Sequence, residues 1–448
     1  MRLAVGEILE AVSGKIICSG TREEITKITT DSRTADEESL FIPLIGERFD
    51  AHDFLSDVVE NKGCKVVLSS KEVSFLNATV ILVKDTKKAM GDLASYYIKK
   101  VNPIKIAITG SVGKTTTKDM LFSVMDKISP TLKTQGNFNN DIGVPLTAFR
   151  LEGEKIGIFE MGMNHFGEIE YLSNIVKPDI AVITNIGHSH IENLGSREGI
   201  LKAKLEIVKG MSKDSVLVLN GDDPYLFGAK NTLEQRVIYY GVNNKECDIY
   251  PDEITNLGDS TEFTVSGEKY CINVPGEHNV LNALCAIAIG KMLEGSYESI
   301  RDGLLEFKAE GIRQNVIKKD GFTVIADCYN AAPDSMLAAL KVLKSYPGER
   351  KIAVFGSVLE LGSYRDKLLY ELGEKIPEIG IDVLITVTKD AFSINEGARS
   401  KGFENTQNIE NNEKTLEYLK GIIKTGDVIL IKGSRGYKME EISEGLVK

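Results

Sequence analysis

Hydrophobic and polar positions follow three successive patterns along this chain, which change near residues 84 and 313. Before residue 84, short apolar runs such as CKVVLSS and ATVILVKD alternate with polar turns around a helix-like segment, DAHDFLSDVVENKG. Such runs predict short strands in a small mixed domain. The helical pattern KKAMGDLASYYIKK then opens the second stretch. We therefore predict three domains, at residues 1–84, 85–313 and 314–448.

The second and third stretches both alternate apolar runs with helical patterns. The predicted strands of the second are IKIAITG, KIGIFEMG, DIAVITNIG and SVLVLNGDD, followed by a long helix, EHNVLNALCAIAIGKML. After Gly311–Arg313 the third stretch restarts with FTVIADCYN, RKIAVFGSV, DVLITVT and DVILIKGS. Strands that alternate with helices predict parallel sheets covered by helices. The predicted fold class is α/β, with a small N-terminal domain, a central domain with a mostly parallel sheet and a Rossmann-like C-terminal domain.

Composition and charge narrow the possible functions. The 448 residues suit about three domains, and 42% hydrophobic with 27% charged residues is ordinary for a globular protein. Glu7 and Glu10 interrupt the apolar core that a signal peptide needs, and no run approaches the roughly 20 apolar residues of a membrane helix. A cytoplasmic protein without membrane insertion is therefore expected. The net charge of −11, with no concentrated basic run, argues against a nucleic-acid partner.

Neither the cysteines nor most of the histidines suggest a metal site by spacing. The six cysteines are scattered and never spaced as a metal-binding pair, so reduced structural cysteines are expected. There are only five histidines, and His165 and His188 are as consistent with structural hydrogen bonds as with ligand roles.

A phosphate-binding loop follows the first strand of the central domain and opens a helix. Its residues are Thr109, Gly110, Ser111, Val112, Gly113, Lys114 and Thr115, with Thr116 next. Glycines let backbone N–H groups approach phosphate oxygens, the helix N-terminus favours anions, the lysine reaches the terminal phosphates and the threonine can ligate Mg²⁺. Ile108 stands where the full Walker pattern has its first glycine, so the loop is a shortened form. The central domain is therefore predicted to be a P-loop domain that binds ATP.

Two further candidates follow central strands. Glu160 ends one strand, and His190 comes after another. Because ligands bind at the carboxyl ends of parallel strands, a carboxylate and an imidazole arriving there are candidate metal ligands. His188 and His190 would share one side of an extended segment, which raises zinc as an alternative. Mg²⁺ beside ATP is favoured, because a third and fourth zinc ligand are not evident.

Five motifs together resemble the Mur ligases, which add amino acids to the bacterial cell-wall precursor. The motifs are TGSVGKTTT at 109–117, NFNNDIGVP at 137–145, EMGMNHFGEI at 160–169, TNIGHSH at 184–190 and GEHNVLNALCA at 276–286. Similar stretches lie at 30–54, 326–333 and 431–436, so the resemblance covers nearly the whole chain. It implies activation of a carboxylate by ATP as an acyl phosphate, followed by attack of an amine. The implied substrates are UDP-N-acetylmuramoyl-tripeptide and D-Ala-D-Ala, and a monomer is expected.

The resemblance also implies roles for individual residues. Lys114 and Thr115 would serve phosphate and metal, and Glu160 and His190 the metal. Lys204 matches a carbamylated lysine that would help to hold a second Mg²⁺, although a lysine in an amphipathic helix is usually solvated. The implied nucleotide contacts are Asn279, Asn282, Arg313, Asp327 and Asn330. Because they lie on both sides of residue 313, we expect the C-terminal domain to close over ATP.

The implied contacts to the other substrates are spread over all three domains. Asp31, Ser32 and Arg33 match a uridine-binding segment, as Gly46, Arg48, Asp50 and His52 do more loosely, and ordinary turn residues are the competing interpretation. The remaining implied contacts are Asn137, Asn139 and Asn140 for the muramoyl peptide, and Lys432, Ser434 and Arg435 for the acceptor. The sequence departs from the family pattern at Ala51, Ala332 and Ser357.

Three alternative functions remain at this point. A folylpolyglutamate synthase-like ligase shares the short loop, but it would have little chain before it, whereas over a hundred residues precede Thr109 here. A sister Mur ligase that adds the third residue would carry the motif Asp-Asn-Pro-Arg, which this sequence lacks. A nucleotide-dependent switch would bind ATP without needing Glu160, His190 and Lys204 to converge.

Overall fold

The computed structural model describes residues 1–308 and 315–448, which form three α/β domains in chain order. Each domain has its own main sheet, so the predicted fold class is confirmed. The boundaries at residues 84 and 313 stay predictions, and residue 313 lies outside the described residues. Helix α2 begins at Thr86, where the Asp85 carboxylate caps its first turn by accepting from the N–H groups of Lys87 and Lys88.

The N-terminal domain is a five-stranded sheet of order β2-β7-β6-β5-β4, parallel except for the β2–β7 pair. Its elements are β1 Leu3–Ala4, α1 Val5–Val12, β2 Lys15–Cys18, β3 Glu24–Ile25, β4 Lys27–Thr29, β5 Ser39–Phe41, β6 Val66–Ser69 and β7 Thr79–Leu82. The helix-like segment of the sequence becomes a 3-10 turn, Ala51–Phe54, followed by a π-helical turn, Asp57–Asn61. Asp50 caps the 3-10 turn by accepting from the His52 N–H.

The central domain is a six-stranded, fully parallel sheet of order β13-β12-β11-β8-β10-β9. Its strands are β8 Ile104–Thr109, β9 Thr131–Lys133, β10 Ile156–Glu160, β11 Ile180–Ile183, β12 Val216–Asn220 and β13 Arg236–Tyr240. Its helices are α2 Thr86–Val101, α3 Lys114–Ile128, α4 Gly143–Ala148, α5 Glu168–Val176, α6 Ile191–Leu194, α7 Arg197–Leu205, α8 Pro224–Gly228, α9 Glu277–Met292 and α10 Tyr297–Glu306. Helices cover both faces, so the middle of β8 (Ile106, Ala107, Ile108) has no exposure to solvent.

A small antiparallel sheet in the central domain was not predicted. It consists of β14 Glu253–Asn256, β15 Thr261–Val265 and β16 Glu268–Ile272. Its signal is present in the sequence, because TEFTV and EKYCI alternate in polarity and flank a two-residue turn. Ser266 and Gly267 both have positive φ, at 54° and 78°, as a tight hairpin requires.

The C-terminal domain is a six-stranded sheet of order β17-β18-β22-β19-β20-β21, parallel except for the β17–β18 hairpin. Its strands are β17 Asn315–Lys319, β18 Phe322–Asp327, β19 Arg350–Phe355, β20 Val383–Val387, β21 Thr406–Ile409 and β22 Asp427–Lys432. Its helices are α11 Pro333–Ser345, α12 Arg365–Glu374, α13 Ile376–Ile379, α14 Phe392–Ser400, α15 Asn412–Ile422 and α16 Glu440–Val447. Among the described residues, no helix has both the length and the apolar character needed to cross a membrane.

The Arg350–Asp427 pair provides a test of this packing. Arg350 donates two hydrogen bonds to Asp427, from Nε at 2.8 Å and from Nη2 at 2.5 Å, and the Asp427 side chain is 2% exposed. Arg350→Met leaves this buried carboxylate without its cation. The free energy of unfolding of the C-terminal domain should therefore fall by about 3–5 kcal/mol. Urea unfolding followed by circular dichroism measures the change.

Lys414→Met is the matched control, because Lys414 is an exposed cation on α15 of the same domain and pairs with Glu410, which precedes that helix. Its effect should stay below about 1 kcal/mol. Equal unfolding midpoints for the two variants would contradict the prediction.

Candidate active site

The phosphate loop lies between β8 and α3 and is held by the segment after β11. Asn185 holds the loop at Val112, accepting from the Val112 N–H with Oδ1 at 3.0 Å and donating to its carbonyl at 2.9 Å. The first bond of the helical ladder runs from the Thr117 N–H to the Gly113 carbonyl. The N–H groups ahead of it therefore form a helix N-terminus that suits an anion.

Lys114 is the first residue of α3, as predicted. Its ammonium donates to the Gly110 carbonyl at 2.7 Å and lies 3.4 Å from the Ser111 carbonyl. The lysine thus lies across its own loop, where it adds positive charge to the helix N-terminus.

Glu160 ends β10 as predicted and is buried, with 2% exposure. Its Oε2 accepts from the Thr115 hydroxyl at 3.0 Å, and its Oε1 accepts from the Asn139 amide at 2.9 Å. The Lys118 ammonium, also buried, lies 3.6 Å from Oε2 and balances part of the carboxylate charge. The predicted phosphate-loop threonine and the predicted strand-end carboxylate are therefore in direct contact.

The residues around Glu160 fit a magnesium ion by their chemistry. The Thr115 hydroxyl, the Glu160 carboxylate and the Asn139 amide supply oxygen atoms, and hard cations such as Mg²⁺ prefer oxygen ligands. His190 lines the same cleft and adds one nitrogen. Within residues 1–308 and 315–448, no three His, Cys, Asp or Glu side chains are grouped as a ready-made metal site.

Lys204 lies on α7 and is 1% exposed. It is therefore buried, and not solvated as a lysine on an amphipathic helix usually is. Burial lowers the pKa of its amine well below the ordinary value, and the nearby charge of Lys114 lowers it further. Burial therefore favours the neutral amine over the ammonium, and the neutral amine is the form that reacts with carbon dioxide.

The two histidines after β11 contact different carboxylates of the C-terminal domain. The Asp334 carboxylate accepts from the His188 backbone N–H at 3.0 Å and lies 3.0 Å from its Nδ1. His190 Nδ1 lies 2.8 Å from Glu360 Oε2, although the two atoms do not have the geometry of a hydrogen bond. His190 has a φ of 63° at the start of α6, so this segment is not extended and the premise of a shared side was wrong.

These contacts shift the two carboxyl groups. Burial raises the pKa of Asp334, but its hydrogen bond and charge interaction with His188 outweigh burial and leave the pKa below its ordinary value. The contact with His190 lowers the pKa of Glu360. Both carboxylates are therefore favoured in their charged form while the two domains are in contact.

One cleft of about 490 Å³ gathers most of the predicted nucleotide and metal residues. Its lining from the central domain includes Ser111, Val112, Gly113, Lys114, Thr115, Thr116, Asn137, Asn139, Asn140, Glu160, His190, Asn279 and Asn282. Its lining from the C-terminal domain includes Asp327, Asn330, Asp334, Glu360 and Lys432. Arg313 lies outside the described residues. The cleft therefore spans two domains, which is where the predicted nucleotide contacts from the central and the C-terminal domain would have to meet.

Asn279 and Asn282 lie on α9, one turn apart as predicted, and both are buried. Asn279 donates to the Pro275 carbonyl at 2.8 Å, and Asn282 Oδ1 accepts from the Thr117 hydroxyl of α3 at 3.1 Å. These bonds place two amides beside the phosphate loop.

Lys432 differs from the prediction in its position. It is the last residue of β22 rather than a residue after it, and its side chain is 3% exposed. Its ammonium donates to Asp327 Oδ2 at 2.6 Å and to the Asn330 carbonyl at 3.0 Å. Lys432 therefore holds two predicted nucleotide residues together at the strand ends.

The remaining predicted contacts lie away from the cleft lining or make local bonds. Asn140 Oδ1 accepts from the Gly143 N–H at 2.8 Å at the start of α4. Ser434 is buried, whereas Arg435 is exposed, with its guanidinium 5.6 Å from the Tyr329 ring centre. In the N-terminal domain, hydrogen bonds from the Arg33 side chain lower the pKa of Asp31 to about 2, while Ser32 lies between them.

The buried His52 of the same domain is held by neighbours. Its Nδ1 lies 2.6 Å from Asp50, and its Nε2 accepts from the Ser70 N–H at 3.0 Å. Of the other predicted residues, Gly46 and Arg48 are exposed, and Thr109 is buried at the end of β8.

Four residues of the site were not predicted: Asn185, Lys118, Asp334 and Glu360. Asp334 follows Pro333 in the first turn of α11, a pattern typical of a helix start but not of a partner for a distant histidine. Glu360 lies between β19 and α12, and no local signal in the sequence connects it with His190.

Comparisons with known proteins agree with the geometry. The family model described as the Mur ligase middle domain matches residues 108–290, and the model described as Mur ligase, glutamate ligase domain matches residues 312–435. UDP-N-acetylmuramoyl-tripeptide–D-alanyl-D-alanine ligase of Bacillus subtilis is 40% identical over 100% of this chain and 99% of its own length.

Two solved structures are also similar. A MurF crystal structure from Acinetobacter baumannii matches with a TM-score of 0.93 and 33% identity, covering 100% of this chain and 99% of that one. MurF ligase from Thermotoga maritima, in complex with ADP, matches with a TM-score of 0.84 and 26% identity, covering 94% of this chain and 96% of that one.

Gly110 tests whether the loop geometry is required for nucleotide binding. Gly110 has a φ of 150°, and an added Cβ would lie 1.9 Å from Thr184 Oγ1, the hydroxyl that donates to the Val112 carbonyl. Gly110→Ala should therefore displace the loop and weaken ATP binding by about 100-fold. Isothermal titration calorimetry with a non-hydrolysable ATP analogue measures the affinity.

Gly153→Ala is the control, because Gly153 also has a positive φ, of 128°, but an added Cβ would meet no atom within 4 Å. It should bind the analogue as tightly as the parent chain. Unchanged affinity in Gly110→Ala would show that the loop tolerates the displacement.

Proposed function

The chain belongs to the Mur ligase family, and from this we infer that it adds D-alanyl-D-alanine to UDP-N-acetylmuramoyl-tripeptide in an ATP-dependent reaction. The observation that carries this function is the two-domain cleft, where the phosphate loop, the buried Glu160–Thr115 contact and strand ends of the C-terminal domain meet. The 40% identity to a D-alanyl-D-alanine ligase over the whole chain supports the choice of substrates. The resemblance noted from the sequence is thereby confirmed.

The proposed mechanism activates the terminal carboxylate of the tripeptide. A carboxylate oxygen attacks the γ-phosphorus of ATP, and the bond between this phosphorus and the β–γ bridging oxygen breaks. ADP departs, and the carboxylate has become an acyl phosphate. The amine of D-Ala-D-Ala then attacks the acyl carbon, gives up a proton and releases inorganic phosphate. Both steps concentrate negative charge, so cationic groups around the phosphates supply much of the stabilisation.

Lys114 and the start of α3 carry the phosphate-binding part of the proposal. The Lys114 ammonium now donates to the Gly110 carbonyl, and a modest rotation of a flexible side chain is enough to transfer it to a phosphate oxygen. The backbone N–H groups at the start of α3 contribute fixed partial charges that need no rearrangement during the reaction.

Thr115, Glu160 and His190 would hold one Mg²⁺, and a carbamate on Lys204 would help to hold a second. Bound there, Mg²⁺ would neutralise phosphate oxygens and orient the γ-phosphoryl group. Lys118 would keep Glu160 in position while contributing a compensating charge. Burial of Lys204 supports the carbamate, because burial favours the neutral amine over the ammonium and only the neutral amine adds carbon dioxide.

For the nucleotide, we assign Asn279 and Asn282 to the adenine side and Asp327 and Asn330 to the ribose side, with Arg313 on the phosphates. Amides suit adenine because they donate and accept together. We assign Lys432 a positioning role instead of a contact to the acceptor, because its ammonium already donates hydrogen bonds to Asp327 and Asn330.

Contacts to the other substrates are assigned to groups in all three domains. Asp31, Ser32 and Arg33 would meet the uridine nucleotide, and Asn137, Asn139 and Asn140 the muramoyl peptide. Ser434 and the exposed Arg435 would meet the acceptor dipeptide. A monomeric state and a cytoplasmic location, where ATP is available, complete the proposal.

The ligase proposal differs from an ATP switch in its substrate requirement. We expect ADP release to stay near background with ATP and UDP-N-acetylmuramoyl-tripeptide alone, and to rise steeply when D-Ala-D-Ala is added. Mass spectrometry should detect pentapeptide product only in the complete mixture. Hydrolysis of ATP at the full rate without D-Ala-D-Ala would favour the switch, and product formed with glutamate instead would favour a folylpolyglutamate synthase-like ligase.

Lys204→Met tests the carbamate. The substitution preserves an unbranched buried chain but removes the amine, so kcat should fall by at least about 10-fold. In ¹³C-bicarbonate, nuclear magnetic resonance should detect a carbamate carbon in the parent chain and none in the variant. Because only the neutral amine adds CO₂, lowering the pH through the pKa of Lys204 should remove this signal, at a lower pH than for an ordinary lysine.

Lys202→Met serves as the control for this helix. Lys202 also lies on α7, but its ammonium is 5.7 Å from the ring centre of Phe166, which is exposed. This variant should keep both the carbamate signal and turnover. A Lys204→Met variant with full turnover would contradict the assigned role.

A further inference from the structure

The contact between His190 and Glu360 crosses the two domains of the cleft. His190 follows β11 of the central domain, and Glu360 follows β19 of the C-terminal domain. Their side chains approach to 2.8 Å between Nδ1 and Oε2. The imidazole is 19% exposed, whereas the Glu360 side chain is 53% exposed.

Both residues occupy backbone conformations that side chains rarely adopt. His190 has a φ of 63°, and Glu360 has a φ of 64°. An L-residue in this region costs about 1 kcal/mol or more, so such conformations persist where surrounding contacts hold them, and they are frequent at functional sites. Each turn thus presents one side chain toward the other domain at some cost in backbone energy.

The surrounding contacts hold these two turns against each other. The Tyr364 hydroxyl, just after Glu360, donates to the Gly195 carbonyl at 2.7 Å, just after His190. Gly362 packs so closely on Glu192 that an added Cβ would lie 2.8 Å from Glu192 Cγ. The His188–Asp334 contact anchors the same central segment to α11. The position of Glu360 beside His190 is therefore defined by several contacts of the interface.

The position of Glu360 beside Nδ1 of His190 affects the other ring nitrogen, Nε2. Nδ1 makes no hydrogen bond of regular geometry here, but a carboxylate 2.8 Å away attracts a proton to Nδ1 by its charge, which leaves Nε2 as the lone-pair nitrogen. His190 lines the same cleft as Thr115 and Glu160. An imidazole oriented from behind by a carboxylate is the usual arrangement of a metal-binding histidine, and here the carboxylate comes from another domain.

We propose that Glu360 is a positioning residue for the metal site: by holding His190, it completes the Mg²⁺ site of the central domain only when the C-terminal domain is closed. This inference rests on the proposed role of His190 as a metal ligand. Closure and metal binding are then coupled, and the coupling is reciprocal, so Mg²⁺ favours closure by the same factor by which closure tightens Mg²⁺ binding.

Glu360→Gln tests the proposal, because it keeps the shape of the side chain but removes its charge. Mn²⁺ replaces Mg²⁺ as a paramagnetic probe, and electron paramagnetic resonance measures its binding to the full chain with a non-hydrolysable ATP analogue. Loss of a carboxylate behind a metal-binding histidine typically costs 10- to 100-fold in metal affinity, so the Mn²⁺ dissociation constant should rise by about 10-fold or more. Small-angle scattering with the analogue should show that Mn²⁺ compacts the parent chain but not the variant.

Two further variants separate the possible outcomes. Glu192→Gln removes the same charge from the same interface without touching His190, and it should bind Mn²⁺ like the parent chain. Glu160→Gln removes a proposed ligand and should weaken Mn²⁺ binding strongly. If Glu160→Gln weakens binding and Glu360→Gln does not, Glu360 has no positioning role while the proposed metal site stands.

If neither Glu160→Gln nor Glu360→Gln weakens Mn²⁺ binding, the assignment of metal ligands in the proposed function fails as well. Equal losses in Glu360→Gln and Glu192→Gln would indicate a general charge effect and overturn the specific role. Should Glu360→Gln fold poorly, Glu360→Asp carries the same test, since its shorter carboxylate keeps the charge but withdraws from His190.

Discussion

The active cleft depends on the parallel register of β8 with its two neighbours. Glu160, the last residue of β10, pairs with Ile108, and Ile183, the last residue of β11, pairs with Thr109. All three strands therefore end within one residue of each other, and the chain leaves each of them at one edge of the sheet. The phosphate loop, the Glu160 carboxylate and the His188–His190 segment meet there because parallel strands place their carboxyl ends together. A shift of one residue in β10 would turn Glu160 to the opposite face and remove it from Thr115.

Charges buried behind this edge are arranged in compensating pairs. Glu160 is almost fully enclosed, and the buried Lys118 lies 3.6 Å away, also 3.6 Å from Asp119, which in turn lies 2.9 Å from Lys133. A buried carboxylate without a nearby cation is strongly destabilising, so Lys118 stabilises Glu160 inside the protein. Lys204 differs, because among the described residues no carboxylate pairs with its amine, and burial instead drives it toward the neutral form. One buried lysine thus neutralises a carboxylate, whereas the other is held toward its neutral form.

Sequence reasoning succeeded where function is encoded locally. The start of α3 at Lys114, the end of β10 at Glu160 and the spacing of Asn279 and Asn282 on α9 all follow from short patterns of apolar, glycine and polar residues. It failed where a side chain finds its partner far away in the sequence, either within one domain or in another one. Nothing near Lys432 indicates that its ammonium is bound by Asp327 and Asn330, and nothing near Glu360 indicates His190. Burial of Lys204 was equally hidden, because a helix of modest amphipathicity does not show how closely its neighbours pack.

Division of the site between two domains has a chemical reason. An acyl phosphate is exposed to water unless the site is enclosed, yet three substrates must enter and the products must leave. Contacts made only across the interface, such as His188 with Asp334 and His190 with Glu360, would meet both needs if the domains move, because they would form on approach and break on separation. If the metal site is completed by the same contacts, the groups that stabilise phosphoryl transfer assemble when water is excluded and disperse when the cleft opens. Activation of the carboxylate is then confined to the closed state, where the waiting amine is its main available acceptor.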